Sequence, residues 1–120
     1  MRLRLTHPVG RAALLLALST PAISLVTFKT IAATPAKIQS VAIKGFAFVP
    51  QVVTVTPGTT VTWTNADEDP HTVTANDKGF HSAALDTDDH FSFTFTKPGD
   101  FAYFCSLHPH MTGKIIVKAG

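Results

Sequence analysis

Cys105, His108 and Met111 follow one another at intervals of three in the stretch Tyr103-Phe104-Cys105-Ser106-Leu107-His108-Pro109-His110-Met111. A thiolate, an imidazole and a thioether on one short loop make a soft donor set. Such a set suits copper, which cycles between a state that prefers sulfur and one that prefers nitrogen. A mononuclear centre of this kind needs a second imidazole. His71, in Asp69-Pro70-His71-Thr72-Val73, is placed to supply it. The expected ligands are therefore His71, Cys105 and His108 in a plane, with Met111 as a weak axial fourth.

Each of these residues has a plainer reading when taken singly. A lone cysteine is often a small buried hydrophobe, and a methionine often fills a gap in the core. A lone histidine is often only a solvated or satisfied side chain. The combination is what points to a metal, because Cys105 is the only cysteine and Met111 the only methionine after Met1. One cysteine cannot form an internal disulfide, so Cys105 is free for another task. His81, His90 and His110 are read as solvated side chains outside the site.

Positioning these donors requires rigid supports, and the chain from Val41 onward supplies short β runs broken by proline and glycine. Val41–Phe46 and Val52–Val55 are rich in β-branched residues. Thr56-Pro57-Gly58-Thr59 reads as a turn. Thr60–Asn65 alternates strictly, which puts Val61 and Trp63 on one face. His71–Thr74 reads as another short strand, and Phe91-Ser92-Phe93-Thr94-Phe95 places three aromatics on one face. Lys97-Pro98-Gly99-Asp100 turns the chain into Phe101–Cys105, and Gly113–Lys118 is the last strand. Residues 75–90 carry the weakest pattern, with a turn at Asn76–Gly79 and a polar, exposed loop around Asp86, Asp88 and Asp89. Short strands spaced by about ten residues, with no helical period, indicate an all-β sandwich or barrel.

The first 33 residues have a different composition. Arg2, Arg4 and Arg11 precede an apolar run from Ala12 to Val26, and small residues follow at Ile31-Ala32-Ala33. That order is the pattern of a secretory signal over residues 1–33, with cleavage expected near Ala32 or Ala33 and an uncleaved anchor as the alternative. The run is short and broken against the roughly 20 apolar residues of a membrane span. No adjacent arginine pair appears, so general secretion is expected. Without Arg2, Arg4, Arg11 and Lys29, the remaining lysines face 8 acids. The domain at residues 34–120 is then slightly acidic, and the basic pI of about 8.9 belongs to the targeting segment. This gives no support for nucleic-acid binding.

The motifs Val61-Thr62-Trp63-Thr64-Asn65, Pro70-His71-Thr72-Val73 and Cys105-Ser106-Leu107-His108-Pro109-His110-Met111-Thr112-Gly113 resemble those of the cupredoxins. The short ligand loop is most similar to that of amicyanin, since plastocyanin and pseudoazurin have longer ones. Phe80-His81-Ser82 with Leu85, and Phe93-Thr94-Phe95 leading to Pro98-Gly99, also look plastocyanin-like. The resemblance spans residues 38–118 and implies a Greek-key β-sandwich with copper near one end. It also implies that Asn65 ties the first ligand's loop to Ser106, an outer hydrogen bond of the kind that orients ligands. His110 and Leu107 depart from the amicyanin pattern, so its partner does not carry over. Asp67-Glu68-Asp69 has no counterpart role in the family.

The function expected from these features is a periplasmic one-electron carrier holding one type 1 copper ion, monomeric, with redox proteins as partners. It is not expected to be an enzyme, because a nitrite reductase or multicopper oxidase needs ligands for further copper ions. A copper chaperone or storage protein is the alternative, although metal delivery favours exposed methionine-rich or multi-cysteine sites. Zinc suits the same donors chemically.

Overall fold

The computed structural model describes residues 10, 13–32 and 34–120. The chain falls into two units, Met1–Ala32 and Ala33–Gly120. In the first, residues 13–32 form no helix or strand, and large apolar side chains such as Leu14, Leu18 and Phe28 are exposed. Arg2, Arg4, Arg11 and Ala33, on which part of the signal reading depends, lie outside the described residues. Among the described residues, no helix is long and apolar enough to cross a membrane.

The second unit contains β1 (Ile38–Ile43), β2 (Phe48–Val49), β3 (Val52–Val55), β4 (Thr59–Asn65), β5 (Thr74–Ala75), β6 (His90–Phe95), β7 (Gly99–Phe104) and β8 (Thr112–Val117). They make two four-stranded sheets, ordered β2-β1-β4-β6 and β3-β8-β7-β5. The chain changes sheet repeatedly, so β1 lies parallel to β4 and β3 parallel to β8. This is the expected all-β sandwich.

Alternation explains which side chains enter the core. On β4, Thr59, Val61, Trp63 and Asn65 are buried while their neighbours face outward. Trp63 meets Tyr103 of the opposite sheet at a ring-centroid distance of 5.4 Å, edge to face, and Phe48 meets Tyr103 at 4.7 Å. Phe95 is fully buried, and Phe91 and Phe93 pack against the core half-buried, which accounts for the three aromatics on one face of β6. Pairs of this kind add about 0.5–1.5 kcal/mol each beyond area burial.

Three local differences from the sequence expectations have physical causes. β1 begins at Ile38 rather than Val41, because parallel pairing with Thr60–Thr62 extends it through residues with no apolar pattern. The short β2 follows a turn whose residues Gly45 and Phe46 have φ of 61° and 56°. A phenylalanine gives little sign of that conformation in sequence. The strand expected at His71–Thr74 is reduced to Thr74–Ala75, with His71 in an isolated bridge to Leu85. Pro70 has no N–H, the Thr72 N–H points to Cys105 Sγ, and the Val73 N–H donates to Ser82 Oγ, so no continuous ladder can form there.

Candidate metal centre

The period of two along β7 and β8 carries the sulfur donors inward. Tyr103 is buried on β7, and continuing the alternation makes Cys105 the next inward position. On the β8 side the buried series is Met111, Gly113, Ile115, Val117. The register pairs Tyr103 with Gly113 and Phe104 with Thr112, so Cys105 falls opposite Met111. A 3.0 Å bond from Cys105 N–H to Met111 O completes that step. Residues directly opposite on one face are cross-strand neighbours. The loop between them closes through His108 N–H to Cys105 O at 3.2 Å and Met111 N–H to His108 O at 2.8 Å.

Gly113 is required by space. A Cβ there would lie 2.4 Å from the Tyr103 ring and hydroxyl. Burial pushes the Tyr103 phenol up to about 12, so it stays protonated. Trp63 beside it acts in the opposite direction, and neither Trp63 Nε1 nor Tyr103 Oη has a hydrogen-bond partner among the described residues.

His71 comes from the other loop. Backbone bonds with Leu85 in both directions, at 3.1 and 2.7 Å, hold it. Its Nδ1 lies 3.8 Å from Cys105 Sγ, and His108 Nδ1 lies 3.7 Å from the same sulfur. The three donor atoms all sit within 4.8 Å of one another. Those N···S separations are too long for strong hydrogen bonds and would let the three donors share one ion. His71 and Cys105 are fully buried while His108 is partly exposed. A buried, unpaired thiol facing two imidazole nitrogens fits a thiophilic, imidazole-binding metal such as copper.

Thr72 ties the two loops together. Its N–H donates to Cys105 Sγ at 3.3 Å, and its hydroxyl oxygen accepts the Ser106 N–H at 2.7 Å and lies 2.8 Å from Ser106 Oγ. The expected link from Asn65 to Ser106 is not made. Asn65 Nδ2 instead donates to Asp69 O at 2.8 Å and Leu85 O at 2.9 Å, and Asn65 Oδ1 accepts the Asp67 N–H. Asn65 therefore organises the His71 loop internally, because Thr72 already occupies the acceptor position beside Ser106.

Two contributors carry no assignment from the sequence. Asp67 Oδ2 lies 2.9 Å from His71 Nε2, and the carboxylate accepts the Gly45 and Phe46 amides. The Phe46 amide, with the Gly45 amide and His71 beside it, holds the Asp67 carboxyl below its usual range, against the opposing effect of burial. Phe46 meets the His71 and His108 rings edge-on at 5.3 and 5.0 Å. Nothing in the sequence singles out Asp67 from its acidic neighbours Glu68 and Asp69, and nothing marks Phe46. His81, His90 and His110 are exposed, and none belongs to the three-donor cluster.

Comparison with known proteins agrees with this geometry. The Cupredoxin-like domain family model matches residues 12–117. Amicyanin of Paracoccus versutus is 33% identical over 89 residues, spanning 70% of this chain and 67% of that protein. Among solved structures, the novel purple cupredoxin from Nitrosopumilus maritimus is similar at a TM-score of 0.63 and 31% identity, covering 66% of this chain and 98% of the other. A copper-containing nitrite reductase from Thermus scotoductus SA-01 is similar at a TM-score of 0.66 and 30% identity, covering 79% of this chain and 25% of the enzyme.

Proposed function

The chain belongs to the cupredoxin-like domain family, and from that premise we propose that it is a periplasmic one-electron carrier serving redox protein partners. The cofactor is one type 1 copper ion, which when bound supplies one-electron chemistry by alternating between Cu(I) and Cu(II). His71, Cys105 and His108 would hold it as the strong donors in this reading, with Met111 as the weak fourth. The observation that carries it is the convergence of two imidazole Nδ1 atoms on one buried sulfur, 3.8 and 3.7 Å away.

The protein's own part is to hold that set in one arrangement for both oxidation states. Cys105 and His71 are fully buried, which keeps water from them. Thr72 and the backbone bonds within Cys105–Met111 hold the donors on two cross-tied loops. Burial of this kind favours a resident metal over one handed on, which sets the carrier above the chaperone or storage alternative. Similarity to amicyanin over 67% of that protein supports the carrier reading, whereas the chain matches only a quarter of the similar nitrite reductase. Residues 1–33 act as the export signal in this reading. In this reading the exported domain is a monomer with no nucleic-acid partner and no stable membrane span once the signal is cleaved.

The visible spectrum tests it. Cu(II) added to the purified protein should give the intense band of a copper–thiolate bond, and zinc should give none. Cys105→Ser should fold and lose the band, and a coloured Cys105→Ser protein would end this reading.

A further inference from the structure

Asp67 uses its carboxylate three times. Oδ1 accepts the Gly45 N–H at 2.7 Å, and Oδ2 accepts the Phe46 N–H at 2.9 Å and lies 2.9 Å from His71 Nε2. The backbone of Asp67 is held on both sides, with its N–H donating to Asn65 Oδ1 at 2.9 Å and its carbonyl accepting the Thr87 hydroxyl at 2.8 Å. The His71 side chain is fully buried and that of Asp67 is 13% exposed, so the pair is largely shielded from water.

An ionised carboxylate can only accept, so the hydrogen of this contact belongs to His71 Nε2. A neutral imidazole with Nε2 protonated has its lone pair on Nδ1, the nitrogen that faces Cys105 Sγ. The partner of the outer ring nitrogen thus decides which nitrogen is free to bind a metal. The same carboxylate adds a negative charge on the far side of the ring, in a place where screening by solvent is weak.

We propose that Asp67 is a positioning residue of the metal centre, fixing the His71 tautomer and, by its charge, biasing the bound copper toward its oxidised, more positive state. The proposal rests on the copper reading above. All three partners of the carboxylate are donors, so a neutral amide cannot replace it. Asn at this position would offer one acceptor oxygen and press its own N–H₂ against another donor.

The test compares the full-length protein with Asp67→Asn, Asp67→Glu and Glu68→Gln by voltammetry and by Cu(II) and Cu(I) titration. Asp67→Asn should keep the visible band, raise the reduction potential, and weaken Cu(II) binding by roughly 10–100-fold, with a smaller loss for Cu(I). Asp67→Glu restores the charge and should recover part of the shift. Glu68→Gln removes the same charge from the exposed neighbouring residue and should change the potential little. An Asp67→Asn potential equal to that of a coloured wild type overturns the role of Asp67 and leaves the copper reading intact. So does a shift just as large in Glu68→Gln. A colourless wild type removes the copper reading and this role with it. Should Asp67→Asn not fold, nitrogen NMR of the metal-free wild type decides the matter. A proton on His71 Nε2 supports the assignment, and a proton on Nδ1 overturns it.

Discussion

Met111 is the residue whose contribution is least a matter of holding the metal. A thioether at long range binds weakly and acts mainly on the balance between oxidation states. Any axial donor stabilises the more positive Cu(II), and a hard oxygen does so more than a soft thioether. Its placement follows from register: Cys105 faces Met111 across the last step of the β7–β8 ladder, and Met111 is 5% exposed. Met111→Gln puts a harder oxygen donor there and should lower the reduction potential. Met111→Leu removes the donor at similar volume and should raise the potential, with copper still bound. Voltammetry checks both, and identical potentials in all three proteins would remove Met111 from the axial position. This placement is legible in the sequence, since Cys105 and Met111 have the right parity on strands joined by a tight loop. The role of Asp67 is not, because an acid beside two other acids looks like a solvated surface until the chain brings Gly45 and Phe46 against it.

At the scale of elements, the centre depends on two loops from different parts of the chain staying in register, and Thr72 is the main direct tie between them. Its hydroxyl satisfies Ser106 N–H and its amide reaches the Cys105 sulfur. Thr72→Val keeps the shape and the amide but removes the acceptor, leaving the Ser106 N–H without its partner. The cost should be about 1–2 kcal/mol, lowering the melting temperature of the metal-free domain by roughly 4–8 °C or more. The copper–thiolate band should also move, because Cys105 is held less firmly. Thr72→Ser should behave as wild type in both measurements. A Thr72→Val protein with unchanged melting and spectrum would show that the loops are held by something else. The strands are readable because a half-buried sheet imposes a period of two, as Thr60–Asn65 and Phe91–Phe95 show. The ties between loops are not, since a hydroxyl and an amide pairing over 34 positions leave no local pattern. The family resemblance, not a local pattern, is what implies Asn65 for the bond that Thr72 makes.

The β-sandwich unit has two unlike ends. At the site end, His108 is the partly exposed member of the donor set, flanked by Leu107 at 49% exposure and exposed Pro109, with the half-exposed Phe46 ring against its imidazole. At the other end, Thr56 precedes the turn into β4, whose far terminus is Asn65 in the site. An apolar, weakly charged face around a ligand edge suits brief contacts, and small interfaces are typical of redox pairs. When two copies exchange an electron through this face, Leu107 of one approaches the same region of the other. Leu107→Lys then sets two ammonium groups against each other, and like charges opposed in an interface cost several kcal/mol. Because about 1.4 kcal/mol already corresponds to tenfold, self-exchange of the copper-loaded protein should slow by roughly tenfold or more. The visible band should stay nearly unchanged, since Leu107 is not a ligand. Added salt should restore much of the lost rate by screening the repulsion. Thr56→Lys adds the same charge at the opposite end and should alter neither the rate nor its salt dependence comparably. If the two variants slow equally, the effect is one of net charge; if neither slows, the electron leaves by a face other than the one around His108.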